Sequence, residues 1–163
     1  MLVFYVIFDL LWFCYLKSKG STKWKVKKNF YFLLEILFET TYSKIMPLVK
    51  VNMLEGKTPE FKKTVFDCIH EGLIGSFGIA DWDRFQRIEE FDKSCWEAPE
   101  GKTENFMIIE LTIFPGRNRE QKKAAIEKIT ELFCEKLGIP ATDVFIVMNE
   151  PPLENWGMGG KQK

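Results

Sequence analysis

The sequence feature that most constrains the fold is an internal repeat at a spacing of 60 residues. Glycines, charged residues and apolar residues recur at this spacing without any gap. The matching pairs are Gly56 and Gly116, Glu60 and Glu120, Ile69 and Ile129, Gly78 and Gly138, Asp83 and Asp143, and Phe85 and Phe145. A segment of this length accommodates one supersecondary unit, so the chain is predicted to contain two similar units.

The first unit reads as strand, turn, helix, turn, strand. Residues 48–54 are rich in Val and Leu, as strands are. Thr58 is a good N-cap, and Pro59 then occupies the first helical position, where its missing N–H costs nothing. Gly78 is expected to end the helix, and residues 85–91 are predicted to form a second strand.

The second unit repeats this order. Residues 105–114 alternate apolar and polar side chains and predict a strand, and residues 144–148 predict the last one. Between them, Asn118 and Gln121 have the spacing of a capping box, and Gly138 is expected to end the helix. The expected buried face of this helix consists of Ile126, Ile129, Phe133 and Leu137.

The predicted fold is therefore α+β, a duplicated β-α-β unit with a four-stranded sheet and two helices on one face. The repeat halves run from about residue 47 to 91 and from 105 to 149. Because the helices cover only one face of the sheet, its other face is expected to be buried by oligomerisation.

The repeat leaves residues 1–45 without a counterpart, and their composition differs from the rest. They contain no Ala, Pro, Arg, Gln or His and only one Gly, Gly20. We interpret them as a leader created by a misassigned start, with the folded domain at residues 46–163. The alternatives are a short membrane anchor, although the apolar run at residues 2–16 is shorter than the roughly 20 residues that span a bilayer, and a structural arm.

Charge and metal-binding residues exclude some functions. The chain has 23 basic and 23 acidic residues, so we expect no nucleic-acid partner. One histidine, His70, and four scattered cysteines argue against a Cys/His zinc site. The absence of a C-x-x-C pair favours a reduced, cytoplasmic setting.

Several short motifs, in order and with matching spacing, resemble the tautomerase superfamily, and most of all its malonate semialdehyde decarboxylase-like branch. The resemblance covers Met46 nearly to the C-terminus and misses the leader. The motifs are Met46-Pro47-Leu48, Glu55-Gly56-Lys57-Thr58-Pro59, Asp81-Trp82-Asp83-Arg84-Phe85-Gln86, Pro115-Gly116-Arg117, Glu120-Gln121-Lys122 and Glu154-Asn155-Trp156-Gly157.

The resemblance implies a cofactor-independent trimer with active sites between subunits and an amino-terminal proline as the catalytic group. Pro47 takes that role if the chain starts there, because a terminal proline is a secondary amine, whereas an internal one is an amide that accepts no proton. The resemblance assigns Arg117 to the substrate carboxylate and Asp83 to water activation or to positioning Pro47. The alternatives are a strand-starting proline, a solvated turn residue and a turn cap, respectively.

Three further residues are candidates for binding substrate. Lys57 is the repeat partner of Arg117, and the resemblance gives it a weaker carboxylate-binding role. Phe85 and Trp156 are candidates for apolar pocket walls, or ordinary core residues. His70 is interpreted as a helix-surface residue or a hydrogen-bonded core histidine.

One departure from the decarboxylase pattern affects the predicted activity. That branch has two arginines here, and this chain has Pro115 at the position two residues before Arg117. We therefore expect keto–enol tautomerisation of a 2-oxo acid, such as a phenylpyruvate- or hydroxymuconate-like compound. The alternatives are a hydratase or decarboxylase of a β-oxo acid that uses Pro47, Asp83 and Arg117, and a non-catalytic, membrane-attached binding protein if the leader is retained.

Overall fold

The computed structural model describes residues 47–163, which form a four-stranded sheet covered on one face by two long helices. In chain order the elements are β1 (Pro47–Leu54), α1 (Pro59–Phe77), β2 (Phe85–Phe91), β3 (Met107–Ile113), α2 (Arg119–Leu137), β4 (Val144–Asn149), and a short hairpin of β5 (Gly157–Met158) and β6 (Lys161–Gln162). This confirms the predicted α+β fold and its two β-α-β units. The interpretations of the leader as a misassigned start, an anchor or an arm lie outside the described residues.

Both helices begin and end at the residues that the sequence indicates. Thr58 accepts a hydrogen bond from the Phe61 N–H at 3.2 Å, which caps α1. Asn118 and Gln121 form a reciprocal capping box at the start of α2. Gly78 and Gly138, at φ angles of 67° and 65°, adopt the left-handed conformation that ends each helix.

The strand order is β2-β1-β3-β4, and the two units meet at the antiparallel pair β1 and β3. Within each unit the two strands are parallel. The antiparallel register places Pro47 opposite Ile113 and Met53 opposite Met107. The first residue of the first unit therefore lies beside the end of the third strand, next to the turn that leads into α2.

One face of the sheet packs against both helices and forms the hydrophobic core. The core residues of the sheet include Val49, Val51, Met53, Met107, Ile109, Leu111 and Ile113. Full burial of such a side chain contributes roughly 1.5–3 kcal/mol. Together with the buried faces of α1 and α2, these residues make up the hydrophobic core of the part of the chain that the structure describes.

The predicted buried face of α2 is wrong at Ile126, which is 40% exposed. Ala125, Ile129, Leu132 and Phe133 are buried instead. The packing of α2 against α1 sets this face: Gly72 of α1 approaches Ile129 so closely that a Cβ at Gly72 would lie 2.5 Å from the Ile129 Cγ1 atom. Ile126 lies about 60° around the helix axis from Ile129 and so falls at the edge of the contact.

The other face of the sheet is not covered by either helix. It carries an ionic cluster at its centre, where the Lys50 ammonium lies 2.9 Å from the Glu89 carboxylate and 3.8 Å from that of Glu110. Toward its two edges lie aromatic side chains related by the repeat, Phe85 and Phe145, which are 47% and 56% exposed. We call this surface the open face.

No helix within residues 47–163 has the length and apolar character needed to cross a membrane.

Candidate active site

The candidate site lies at the end of the sheet where β1 begins and β3 ends. Pro47 is buried at the start of β1, and its partner in the register is Ile113. The chain continues through the buried Phe114 into the turn that carries Arg117. The antiparallel pairing therefore brings Pro47 and Arg117, which are 70 residues apart in sequence, to the same end of the sheet.

Arg117 is nearly buried, with 4% of its surface exposed, so its interpretation as a solvated turn residue is wrong. Its guanidinium lies over the Phe77 ring, 4.6 Å from the centroid, and its Nη1 donates to the Phe114 carbonyl at 3.0 Å. Burial lowers the pKa of Arg117, while the charges of Glu150 and Asp83 act in the opposite direction. The guanidinium remains a cation at neutral pH, held where little water competes for it.

Asp83 is also buried, with 3% exposed, in the connection between α1 and β2. Its negative charge acts on Arg117, which indicates that the two groups belong to one electrostatic cluster. The repeat partner of Asp83 has a structural role: Asp143 accepts hydrogen bonds from the backbone N–H and the hydroxyl of Thr103. Thr103 lies in the segment between β2 and β3 that joins the two units, and Asp143 directly precedes β4. These hydrogen bonds therefore fasten the joining segment to the second unit.

Trp156 lies at the same end of the sheet as Arg117. Its ring packs against the Phe114 ring at 4.2 Å between centroids, and its Nε1 donates to the Pro151 carbonyl at 3.1 Å. The carbonyl of Phe114 holds Arg117 and the ring of Phe114 holds Trp156, so a single residue links the cation to the aromatic wall.

Phe85 begins β2 and pairs in register with Leu48, one residue after Pro47. Phe85 therefore lies at the same end of the sheet as Pro47, on the open face, and nearly half of its surface is exposed. Its predicted role as a pocket wall stays a prediction.

The structure separates Lys57 from the other candidates. Lys57 follows the far end of β1, roughly 20 Å or more from Pro47 at the rise of an extended strand. Its Nζ donates to the Asn105 side chain at 2.7 Å. A contact between Lys57 and a substrate at Pro47 would therefore require Lys57 from another copy of the chain.

Three residues of the cluster were not singled out by the sequence analysis as site residues: Phe77, Phe114 and Glu150. For Glu150, the 60-residue repeat offered a signal in the sequence, because its ion pair recurs in the first unit. Its ion pair with Lys122 at 2.5 Å has an equivalent 60 residues earlier, Glu90 with Lys62 at 2.6 Å. No comparable sequence signal marks Phe77 as the surface under Arg117, because it reads as one more residue of an apolar helix face.

Within the part of the chain that the structure describes, no group of three or more His, Cys, Asp and Glu side chains is placed to hold a metal ion. The site combines a buried cation, a buried carboxylate, an aromatic wall and, at the start of β1, proline.

The fold and the site define a small α+β protein of two β-α-β units, with a proline and a buried arginine at one end of its central strands. Residues 83–159 match the model of a family described as "Tautomerase enzyme". The chain is 41% identical over 53 residues to the 2-hydroxymuconate tautomerase of Comamonas testosteroni, which covers 32% of this chain and 84% of that protein. It is 27% identical over 119 residues to the probable tautomerase YusQ of Bacillus subtilis (strain 168), which covers 70% of this chain and 94% of that one. The chain belongs to the tautomerase superfamily.

Solved structures share the fold. A malonate semialdehyde decarboxylase, studied for its decarboxylase and hydratase activities, superimposes with a TM-score of 0.64 at 22% identity and covers 69% of this chain and 91% of its own. A fused 4-OT solved as an asymmetric trimer gives a TM-score of 0.63 at 20% identity and covers 70% of this chain and 94% of its own. The matched share corresponds in length to the described domain, and at these identities the likeness establishes the fold.

Proposed function

We propose that the chain catalyses the keto–enol tautomerisation of a 2-oxo acid, with Pro47 as general base and acid and Arg117 as the carboxylate anchor. The observation that carries this proposal is the antiparallel register of β1 and β3, which brings Pro47 to the same end of the sheet as the desolvated guanidinium of Arg117. Tautomerisation of a 2-oxo acid requires a group that transfers a proton and a group that binds the carboxylate. One proton moves between carbon and oxygen, and the carboxylate stays fixed.

The proposal requires that Pro47 is the first residue of the working protein. Its nitrogen is then a secondary amine, whereas a preceding residue would make it an amide. Ordinary chain amines titrate near roughly 7.7–8, and both burial and a nearby cation favour the neutral form. Pro47 is buried and shares its end of the sheet with Arg117, so a neutral amine is favoured at physiological pH. A neutral amine takes the proton from one atom of the substrate and returns it to the other.

Arg117 suits the binding of a carboxylate for two reasons. Its fork of N–H groups matches the two oxygens of a carboxylate, and the Phe77 ring and the Phe114 carbonyl already hold it in place. A substrate carboxylate therefore meets a cation that loses little freedom on binding. Trp156 and, from the open face, Phe85 would supply the apolar wall against which the rest of a 2-oxo acid packs.

The test is the rate of ketonisation of an enol such as that of phenylpyruvate, followed by its ultraviolet absorbance, with protein that starts at Pro47. Pro47→Ala should lower kcat/KM by at least about 100-fold, since a positioned general base contributes on that order. Pro140→Ala is the matched control, because Pro140 is exposed and lies at the other end of α2. A Pro47→Ala protein as active as the control would overturn the proposal.

A second candidate is the decarboxylation or hydration of a β-oxo acid by Pro47, Asp83 and Arg117. The observation that favours it is the buried carboxylate of Asp83, whose charge acts on Arg117 and which could activate water. The decarboxylase with the same fold supports this chemistry. Product analysis by NMR after incubation with a β-oxo acid separates the two, because decarboxylation removes one carbon as CO2 and hydration adds a water molecule, whereas tautomerisation leaves the molecular formula unchanged.

We further propose that the chain works as a homotrimer assembled through the open face, in the cytoplasm. The exposed Phe85 and Phe145 on that face and the trimeric state of the fused 4-OT structure support the assembly. Among the described residues the cysteines Cys68, Cys95 and Cys134 are free thiols, which suits a reducing compartment. Light scattering at micromolar concentration should give three times the chain mass, and a monomer mass would refute the assembly.

A further inference from the structure

A buried histidine lies directly beneath the turn that carries Asp83. His70 is on α1, with 2% of its surface exposed. Its Nε2 lies 2.9 Å from the Asp81 carbonyl oxygen. A carbonyl oxygen can only accept, so Nε2 carries the hydrogen and donates it. His70 is thus a hydrogen-bonded core histidine. Its hydrogen-bond partner, Asp81, lies in the same connection between α1 and β2 as Asp83 of the candidate site.

The turn itself is short and internally bonded. The Asp83 N–H donates to the Ala80 carbonyl at 3.0 Å, and the Arg84 N–H donates to the Trp82 carbonyl at 3.0 Å. Asp81 lies inside this turn, so the histidine ties its middle to α1. Asp81 and Asp83 belong to the same hydrogen-bonded turn, so a change at the Asp81 carbonyl is expected to reach Asp83.

The second unit shows what the same turn looks like without a histidine. The position 60 residues after His70 is Thr130, whose hydroxyl donates to the Ile126 carbonyl within its own helix. The carboxylate of that unit, Asp143, is instead held by the backbone N–H and the hydroxyl of Thr103. Both units therefore have an aspartate at this position of the turn. Only the unit with Asp83, the aspartate of the candidate site, also has a histidine at the equivalent helix position.

We propose that His70 is a positioning residue that holds the Asp83 turn in its working geometry; the inference rests on the proposed function of Pro47 and Arg117 and on Asp83 acting beside them, by positioning Pro47 or by activating water. His70 acts through the backbone of Asp81. Its loss should slow the chemical step rather than weaken substrate binding, because Arg117 is held by Phe77 and Phe114 outside the turn. A misplacement on the order of 1 Å can cost up to about 100-fold in rate.

The test compares His70→Phe, which fills the space but has no donor, with His70→Gln, whose side-chain N–H reaches a similar position. In protein starting at Pro47, the Phe variant should lower kcat by about tenfold with KM changed less than about twofold. The Gln variant should recover most of the rate. Thr130→Val is the matched control and should keep the wild-type kcat, because Thr130 bonds only within α2 among the contacts described.

A double-mutant cycle shows whether the effect passes through Asp83. If it does, His70→Phe in an Asp83→Asn background should produce no further loss. An unchanged kcat in the Phe variant, a Gln variant as slow as the Phe variant, or a full tenfold loss in the Asn background would each overturn the inference.

Amide hydrogen exchange tests the inference even if the enzyme assay fails. The Asp83 and Arg84 amides should exchange faster in the Phe variant than in the wild type or the Gln variant, because the turn is less firmly held. Equal protection in all three proteins would refute the positioning role. Activity lost only through Pro47→Ala, with exchange unchanged by His70→Phe, would refute this inference and leave the proposed function standing.

Discussion

Replacing Arg117 by methionine should selectively impair substrates that carry a carboxylate. Methionine has a similar length, and an apolar side chain suits a site that is 4% exposed and lined by the Phe77 ring. The fold should therefore survive the change, whereas the charge and the fork of N–H groups disappear. Truncating one partner of a buried, hydrogen-bonded charge pair costs about 2–5 kcal/mol.

That cost converts into a measurable loss. At about 1.4 kcal/mol per factor of ten, even a cost of about 2–4 kcal/mol corresponds to a decrease in kcat/KM of roughly 30- to several hundred-fold. Most of it should appear in KM, because Arg117 holds the substrate and does not move the proton. Arg117→Lys should fall between the wild type and Arg117→Met, since an ammonium keeps the charge but loses the bidentate geometry.

The decisive comparison uses the methyl ester of the same 2-oxo acid. The ester has no charge for Arg117 to bind, so wild type and Arg117→Met should turn it over at rates within about threefold of each other. Ketonisation of both enols is followed by ultraviolet absorbance, and the thermal midpoint confirms folding. An equal loss on acid and ester would refute the carboxylate role and leave Arg117 as a structural residue on Phe77.

The remaining predictions concern stability. Gly72→Ala should destabilise the fold by about 1–3 kcal/mol, lowering Tm by at least about 4 °C, because its Cβ would overlap the Ile129 side chain. Gly75→Ala, in the same helix with no atom within 4 Å of its added Cβ, should instead raise Tm slightly; the opposite order in calorimetry would contradict the helix packing. Hydrogen bonds from Lys63 and then Arg84 lower the pKa of Asp67 below its ordinary value. The stabilisation is thus present above about pH 4 and lost as the pH falls through the lower folded-state pKa. Asp67→Asn should therefore destabilise by less than about 1 kcal/mol at pH 7 and by a smaller amount at pH 2; a difference in denaturant midpoint as large at pH 2 as at pH 7 would refute this.

Local signals predicted the secondary structure well because each depends on residues close in sequence. The caps at Thr58 and Asn118 and the left-handed glycines at Gly78 and Gly138 fixed the helix ends. The predicted strand at residues 105–114 proved shorter, Met107–Ile113, since its ends lack partners in the sheet register. The C-terminal hairpin was missed because its strands have only two residues each.

Long-range signals were predicted less well. The repeat indicated two similar units but not that β1 and β3 pair antiparallel, and this pairing decides that Lys57 and Arg117 lie at opposite ends of the sheet. The exposure of Ile126 depends on the contact between Gly72 and Ile129, which no property of α2 alone specifies. The sequence left a solvated turn residue open as the alternative for Arg117, and only the packing of Phe77 and Phe114 around its side chain excludes that alternative.

The central claim is that the amine of Pro47 does the chemistry, and one measurement tests it most directly. The kcat/KM for a 2-oxo acid should be compared between protein that starts at Pro47 and protein that retains Met46, with each start verified by intact mass. The added residue turns the amine into an amide, so the account predicts a loss of about 100-fold or more. Equal activity of the two forms would contradict it, because the nitrogen of an internal proline cannot accept a proton.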